Sequence, residues 1–145
     1  MISYMEMMVS KKNSIIIIDT SAIISILQED DSNHAQALEI LNNLTTKLSQ
    51  IIIPADVYTE TVNTIGKKWG RKVAVETTDF MNKTSGFILV NCLEKYPEAL
   101  DKYQTYSKFP SFTDCIVMAT ADKYQTKEIF GFDECFSKNG YTLPT

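Results

Sequence analysis

Ile15-Ile16-Ile17-Ile18-Asp19-Thr20-Ser21 is the stretch that decides the fold. A short branched run, apolar on both faces, belongs in the middle of a sheet that helices cover on each side. The acid and two hydroxyls that follow read as a helix start. The same handover recurs along the chain. Ile51-Ile52-Ile53 precedes Pro54 and an amphipathic segment, and Glu128-Ile129-Phe130-Gly131-Phe132 precedes Asp133. Strands separated by helices imply parallel pairing through crossover helices, hence an α/β fold.

Working outward, the pattern predicts strands over 15–18, 50–53, 86–90, 128–132 and 140–143. Helices are predicted over 20–28, 33–48, 54–67, 70–84, 97–107 and 111–125, with a short one over 134–138. Pro54 suits a first helical position, where its missing N–H would be unpaired anyway. Ser111 or Thr113 can cap the helix over 111–125. Residues 1–13, with Met1, Met5, Met7 and Met8 followed by Lys11-Lys12-Asn13, show no sustained periodicity and read as a flexible leader. Residues 14–145 read as one domain, the size at which a single core is sensible.

Composition narrows the function. A formal net charge of -4 and a pI near 5.0 argue against a surface coated in positive charge for duplex DNA or membranes. Nucleic acid would have to be held by a local basic patch, by metal ions or by both. Cys92, Cys115 and Cys135 are odd in number and widely spaced, which indicates neither a disulfide framework nor a zinc ribbon and fits a reducing compartment. The Ile15–Ile18 block is too short for a signal-peptide core or a membrane span, so a cytoplasmic protein is expected.

Four acids, Asp19, Glu60, Asp114 and Asp133, fall near strand-to-helix junctions, where sheets of this type bind ligands outside the carboxyl ends of their strands. His34 is the only histidine, which excludes a two-histidine ribonuclease mechanism and leaves hard oxygen ligands. Gathered carboxylates repel one another unless a cation lies among them, and Mg²⁺ or Mn²⁺ among such groups is suited to phosphodiester hydrolysis. Each acid also has a plain reading. Asp19 and Asp114 would favour a helix dipole, and Asp133 would be an N-cap. Glu60 lies roughly 200° around an ideal helix from Tyr58, away from a Tyr58/Val62/Ile65 stripe, where a solvated face is ordinary. Lys67-Lys68-Trp69-Gly70-Arg71-Lys72 sets four positive charges beside one ring, suited to phosphate contacts and base stacking, or to a solvated junction with Trp69 in the core. Lys108 and Lys123 flank the Asp114 helix. Cys115 and Cys135, beside the acids, read as small packing residues.

Four segments carry a resemblance: Ile18-Asp19-Thr20-Ser21-Ala22, Val57-Tyr58-Thr59-Glu60, Ser111-Phe112-Thr113-Asp114-Cys115-Ile116 and Gly131-Phe132-Asp133-Glu134-Cys135-Phe136. With 41, 54 and 19 residues between successive acids, the chain resembles the PIN-domain nucleases. Its length and its Gly140-Tyr141-Thr142-Leu143-Pro144 segment are similar to single-domain VapC-type toxins of toxin-antitoxin systems. The resemblance implies a three-layer α/β/α domain around a mostly parallel twisted sheet of about five strands. It implies that Asp19, Glu60, Asp114 and Asp133 hold Mg²⁺ or Mn²⁺, with Asp19 and Asp114 as core ligands, Glu60 as ligand or water-positioning carboxylate and Asp133 as an outer or second-metal partner. Ser21 would orient the site. The implied activity is endonucleolytic cleavage of single-stranded or structured RNA, and the implied partners are an antitoxin protein and a second copy in a homodimer. Gly131 departs from the family, where Thr or Ser is frequent two residues before the fourth acid. A non-catalytic RNA- or protein-binding scaffold is the alternative. A haloacid-dehalogenase-type phosphatase is disfavoured because Asp19-Thr20-Ser21 is not Asp-x-Asp.

Overall fold

The computed structural model describes residues 14–106 and 110–145, so the expected leader over 1–13 and Lys108 lie outside the described residues. The first strand, β1 (Ile15–Ile18), leads straight into α1 (Thr20–Leu27). Next come α2 (His34–Thr46), β2 (Gln50–Pro54), α3 (Ala55–Trp69), α4 (Arg71–Lys83) and β3 (Phe87–Val90). A single 3₁₀ turn, Leu93–Lys95, precedes α5 (Tyr96–Thr105), and α6 (Phe112–Lys123), β4 (Ile129–Phe130) and α7 (Glu134–Lys138) complete the order.

The four strands form one sheet in the order β3-β2-β1-β4, and each neighbouring pair is parallel. Successive strand residues point to opposite faces. Ile16, Ile17 and Ile18 are all at most 1% exposed, so helices must cover both faces of β1. Ile51, Ile52 and Ile53 are buried in the same way, whereas β3, at the sheet edge, leaves Ile88 and Leu89 exposed. Helix α6 packs on β1, β2 and β4, and its residues Cys115 to Ala121 are buried without a break. It is therefore enclosed by protein on every side along this stretch. None of the helices of the described residues is long and apolar enough to cross a membrane.

Three expectations are corrected. The sheet has four strands rather than about five, because residues 140–143 contribute only an isolated bridge between Glu128 and Thr142. Gly140 enters at φ +90° and Pro144 follows, leaving little extended chain between them to pair. The strand expected over 128–132 shortens to Ile129–Phe130, since the Phe132 N–H leaves the ladder for the Ser21 hydroxyl. Pro54 ends β2, opposite Val90, instead of opening α3. Its ψ of 138° keeps it extended, so the helix starts one residue later.

Candidate metal centre

Asp19 is the residue at which β1 turns into α1. Its backbone N–H donates to the Phe130 carbonyl at 2.9 Å, fixing the first acid beside the end of β4. It is the N-cap of α1, and its Oδ2 accepts from the Ser21 hydroxyl at 3.0 Å. The Ser21 oxygen in turn accepts the Phe132 N–H at 3.0 Å. One hydroxyl thus joins the β1–α1 turn to the segment leading into Asp133. The other Asp19 oxygen, Oδ1, is buried and has no hydrogen-bond donor.

Asp114 stands in the first turn of α6 within a reciprocal capping box. Its N–H donates to Ser111 Oγ at 3.1 Å, and its Oδ2 accepts from the Ser111 N–H at 3.0 Å. Ser111, not Thr113, is the cap. The plain helix-start reading of Asp114 therefore holds, yet it accounts for one carboxylate oxygen only. Asp133 occupies the N-cap position of α7 without making a side-chain cap hydrogen bond, so capping does not explain its carboxylate.

Oxygens of Asp19, Asp114 and Asp133 lie within 4.8 Å of one another, grading from buried to exposed. Burial, and then the charges of Asp114 and Asp133, push the Asp19 carboxyl up to about 7, opposed by Ser21 and reinforced by Glu60. Asp133 is raised too, by partial burial first and then by Asp114 and Glu60. Glu60 is not in the 4.8 Å group. It sits half-buried on α3 at the rim, close enough for its charge to act on two of the three acids. The inward stripe of α3 is Val57/Thr61/Ile65, with Tyr58 and Val62 half-buried beside it rather than at its centre. Thr61 donates to Thr20 at 3.1 Å in the core, tying α3 to the start of α1 just beneath Asp19.

These residues fit a hard divalent cation. A carboxylate with a buried, donor-free oxygen, grouped with two further carboxylates, lacks the compensation that a buried charge requires. A cation among oxygen ligands supplies it. Softer donors are unready, because burial pushes the Cys115 thiol up to about 11 and the Cys135 thiol up to about 12, with nearby carboxylates adding to both. His34 is structural, its Nδ1 lying 2.8 Å from the Ser25 carbonyl oxygen.

Gly131 is closely packed against this centre. A Cβ there would fall 2.8 Å from Phe136 Cε2 and 2.9 Å from Asp19 Cβ. A hydroxyl-bearing side chain at this position would meet the Phe136 ring, which fills the space. Neither the Ser21 link to Phe132 nor the tight seat of Gly131 was foreseen. The first has no local signature, because its partners are 111 residues apart.

A family model described as PIN domain matches residues 16–140. Among solved structures, the chain is similar to Mycobacterium tuberculosis VapC20, described as a sarcin-ricin loop cleaving toxin. That match has a TM-score of 0.77 at 19% identity and covers 88% of this chain and 96% of that one. It is also similar to VapBC2 from Rickettsia felis, a structure bound to a DNA fragment from their promoter, with a TM-score of 0.63 at 14% identity, covering 89% and 96%. At these identities the likeness is one of fold. No curated protein matches the chain.

Proposed function

Since the chain belongs to the PIN-domain family, we propose that it is a Mg²⁺- or Mn²⁺-dependent endoribonuclease, a single nuclease domain over residues 14–145. The observation that carries the reading is the donor-free buried Oδ1 of Asp19, within a set of three carboxylates whose oxygens are at most 4.8 Å apart. A fold scaffold has no use for such a cluster; a site that gathers cations against phosphates does.

Asp19, Asp114 and Asp133 hold the ion, which when bound supplies an acidified water and neutralises charge on a phosphoryl oxygen. Ser21 keeps Asp19 oriented through Oδ2, leaving Oδ1 without a protein donor. The Ser111 box does the same for Asp114. Glu60, at the rim and within reach of solvent, positions the attacking water by accepting its proton as a hydrogen bond. Asp19 must be ionised to serve as a ligand, so activity rises as its carboxyl loses the proton that burial and its neighbours retain.

The toxin described for VapC20 and the toxin-antitoxin assembly of VapBC2 support placing this chain as the toxin of such a pair, with a homodimer and an antitoxin that covers the acidic cleft. The test is to incubate the purified protein with a mixed pool of structured and single-stranded RNAs in Mg²⁺, Mn²⁺ or EDTA, beside Asp19→Asn. Metal-dependent cleavage that vanishes in the variant is expected. A folded, antitoxin-free protein that cleaves nothing with either metal would instead make it a non-catalytic scaffold.

A further inference from the structure

The Lys67–Lys72 run lies outside the cluster of three carboxylates. In the structure it divides in two. Lys68 lies over the Trp69 ring, 4.7 Å from its centroid, and Trp69 is half-buried outside the main core cluster. Lys67 and Arg71, by contrast, both line open space. Lys67 lines a cleft of about 680 Å³ together with Glu60, Asn63, Asn91 and Tyr96. A second cleft, of about 490 Å³, takes up Asn63 and Lys67 again and continues to Arg71. The two clefts adjoin along Asn63 and Lys67, and together they lead as a trough from the rim carboxylate of the acidic centre to Lys67 and Arg71.

Helix geometry explains the alignment. Glu60, Asn63, Thr64 and Lys67 fall within an arc of roughly 100° on α3, and Lys67 stands about 10 Å along the axis from Glu60. Ion pairs among the described residues engage Lys83, Lys95, Lys102, Lys123 and Lys138, which leaves Lys67 and Arg71 without a carboxylate partner. Helix stability accounts for Lys67, in the last turn of α3, but not for Arg71. Arg71 opens α4, where the macrodipole disfavours a cation. Across the cleft Tyr96 donates its hydroxyl to Asp56, which stands one turn before Glu60 on the same face of α3, so the cleft is anionic at its acidic-centre end and becomes cationic toward Lys67.

We infer that this trough is the track of single-stranded RNA, with Lys67 and Arg71 holding consecutive backbone phosphates and Asn63 and Asn91 facing the nucleotides between them and the acidic centre. The inference rests on the ribonuclease reading and gives its substrate a path. A chain of net charge -4 with an acidic centre repels a polyanion. Screening limits attraction to about 8 Å at physiological ionic strength, so cations must stand close to the strand to offset that repulsion. These two do.

The test uses the full chain carrying Asp114→Asn, to stop cleavage, and a fluorescein-labelled single-stranded RNA of mixed sequence read by anisotropy across a salt series. Lys67→Gln and Arg71→Gln should each weaken binding several-fold and reduce the slope of log affinity against log salt by about 0.7, one phosphate contact on a single strand. Lys68→Gln and Lys72→Gln should leave both unchanged. Equal losses in all four variants would overturn the track in favour of a diffuse field. In the otherwise native enzyme, cleavage with unaltered KM in Lys67→Gln and Arg71→Gln would overturn the track and leave the nuclease reading standing. Absence of both binding and cleavage in the parent proteins would remove both. Weakened capture of a co-expressed antitoxin with RNA binding intact would reassign the trough to a protein.

Discussion

Ser21 donates its hydroxyl to Oδ2 of Asp19 at 3.0 Å while accepting the Phe132 N–H on the same oxygen. Ser21→Ala removes both bonds, leaving the Phe132 N–H unsatisfied in partly buried surroundings and Asp19 Oδ2 with only the longer bond from the Ser21 N–H at 3.4 Å. A loss of about 1–3 kcal/mol in stability is expected. Metal affinity should fall roughly 10- to 100-fold, as when an outer partner of a ligand is removed. Urea unfolding and calorimetric Mn²⁺ titration measure the two; unchanged metal affinity would make Ser21 purely structural.

The Asp19 carboxyl, ordinarily near 3.8, stands at about 7 in the folded chain. Between those values the folded protein keeps a proton that the unfolded chain has released, so without metal this group makes stability fall as pH rises from about 4 to about 7. The full effect, at about 1.36 kcal/mol per pH unit, is of the order of 4 kcal/mol. Asp19→Asn should flatten that slope and leave a protein at pH 7.5 at least as stable as the parent. Thermal unfolding of both proteins between pH 4 and 8 checks it, and parallel curves would refute it.

Divalent ions should act in the same window with the opposite sign. At pH 8 Asp19 is ionised, and added Mg²⁺, binding the folded chain alone, should raise Tm clearly. At pH 5 the proton on Asp19 competes and the rise should shrink. EDTA should reverse it. An equal rise at both pH values would place the ion elsewhere.

Asp114 serves a helix cap and the acidic centre through one side chain, and two variants separate these roles. Ser111→Ala breaks the cap, costing about 1 kcal/mol, while the carboxylate remains and cleavage persists. Asp114→Asn should fold and yet lose cleavage altogether. Paired Tm and single-turnover measurements decide it, since the opposite pattern would make the carboxylate a capping group alone.

Gly131→Ala forces a methyl group against Phe136 and Asp19, an overpacking expected to cost about 1–3 kcal/mol. Adding Phe136→Leu gives the methyl room on one side and should restore part of the stability. Metal affinity should stay low in the pair, because the approach to Asp19 is unrelieved. Full recovery of Mn²⁺ binding by the second substitution would show that Asp19 had not moved.

The parts legible in the sequence were those with short-range causes. Branched runs such as Ile15–Ile18 mark strands buried on both faces, and the acids that follow them come together because parallel strands end along one edge. The cap of the Asp114 helix was legible only as a choice between Ser111 and Thr113, which the reciprocal bonds of Ser111 with Asp114 decide. Residues 140–143 misled because a glycine-led, alternating segment suits a strand, while pairing depends on a neighbour for only one residue of it. Glu60 was read on a solvated face opposite a Tyr58/Val62/Ile65 stripe, but the inward stripe is Val57/Thr61/Ile65 and Glu60 flanks it, half-buried. The close seat of Gly131 and the trough were hidden, because both depend on surfaces from distant segments meeting.

The sheet order places β4 against β1, so the strand that begins the described chain waits for one made more than a hundred residues later. During synthesis, the β1 edge stays open while the ribosome adds everything between, and an uncovered isoleucine-rich edge invites pairing with other chains. The same closure brings Asp133 to Asp19. A nascent chain of this sequence therefore lacks its assembled acidic centre for as long as its isoleucine-rich edge stays open.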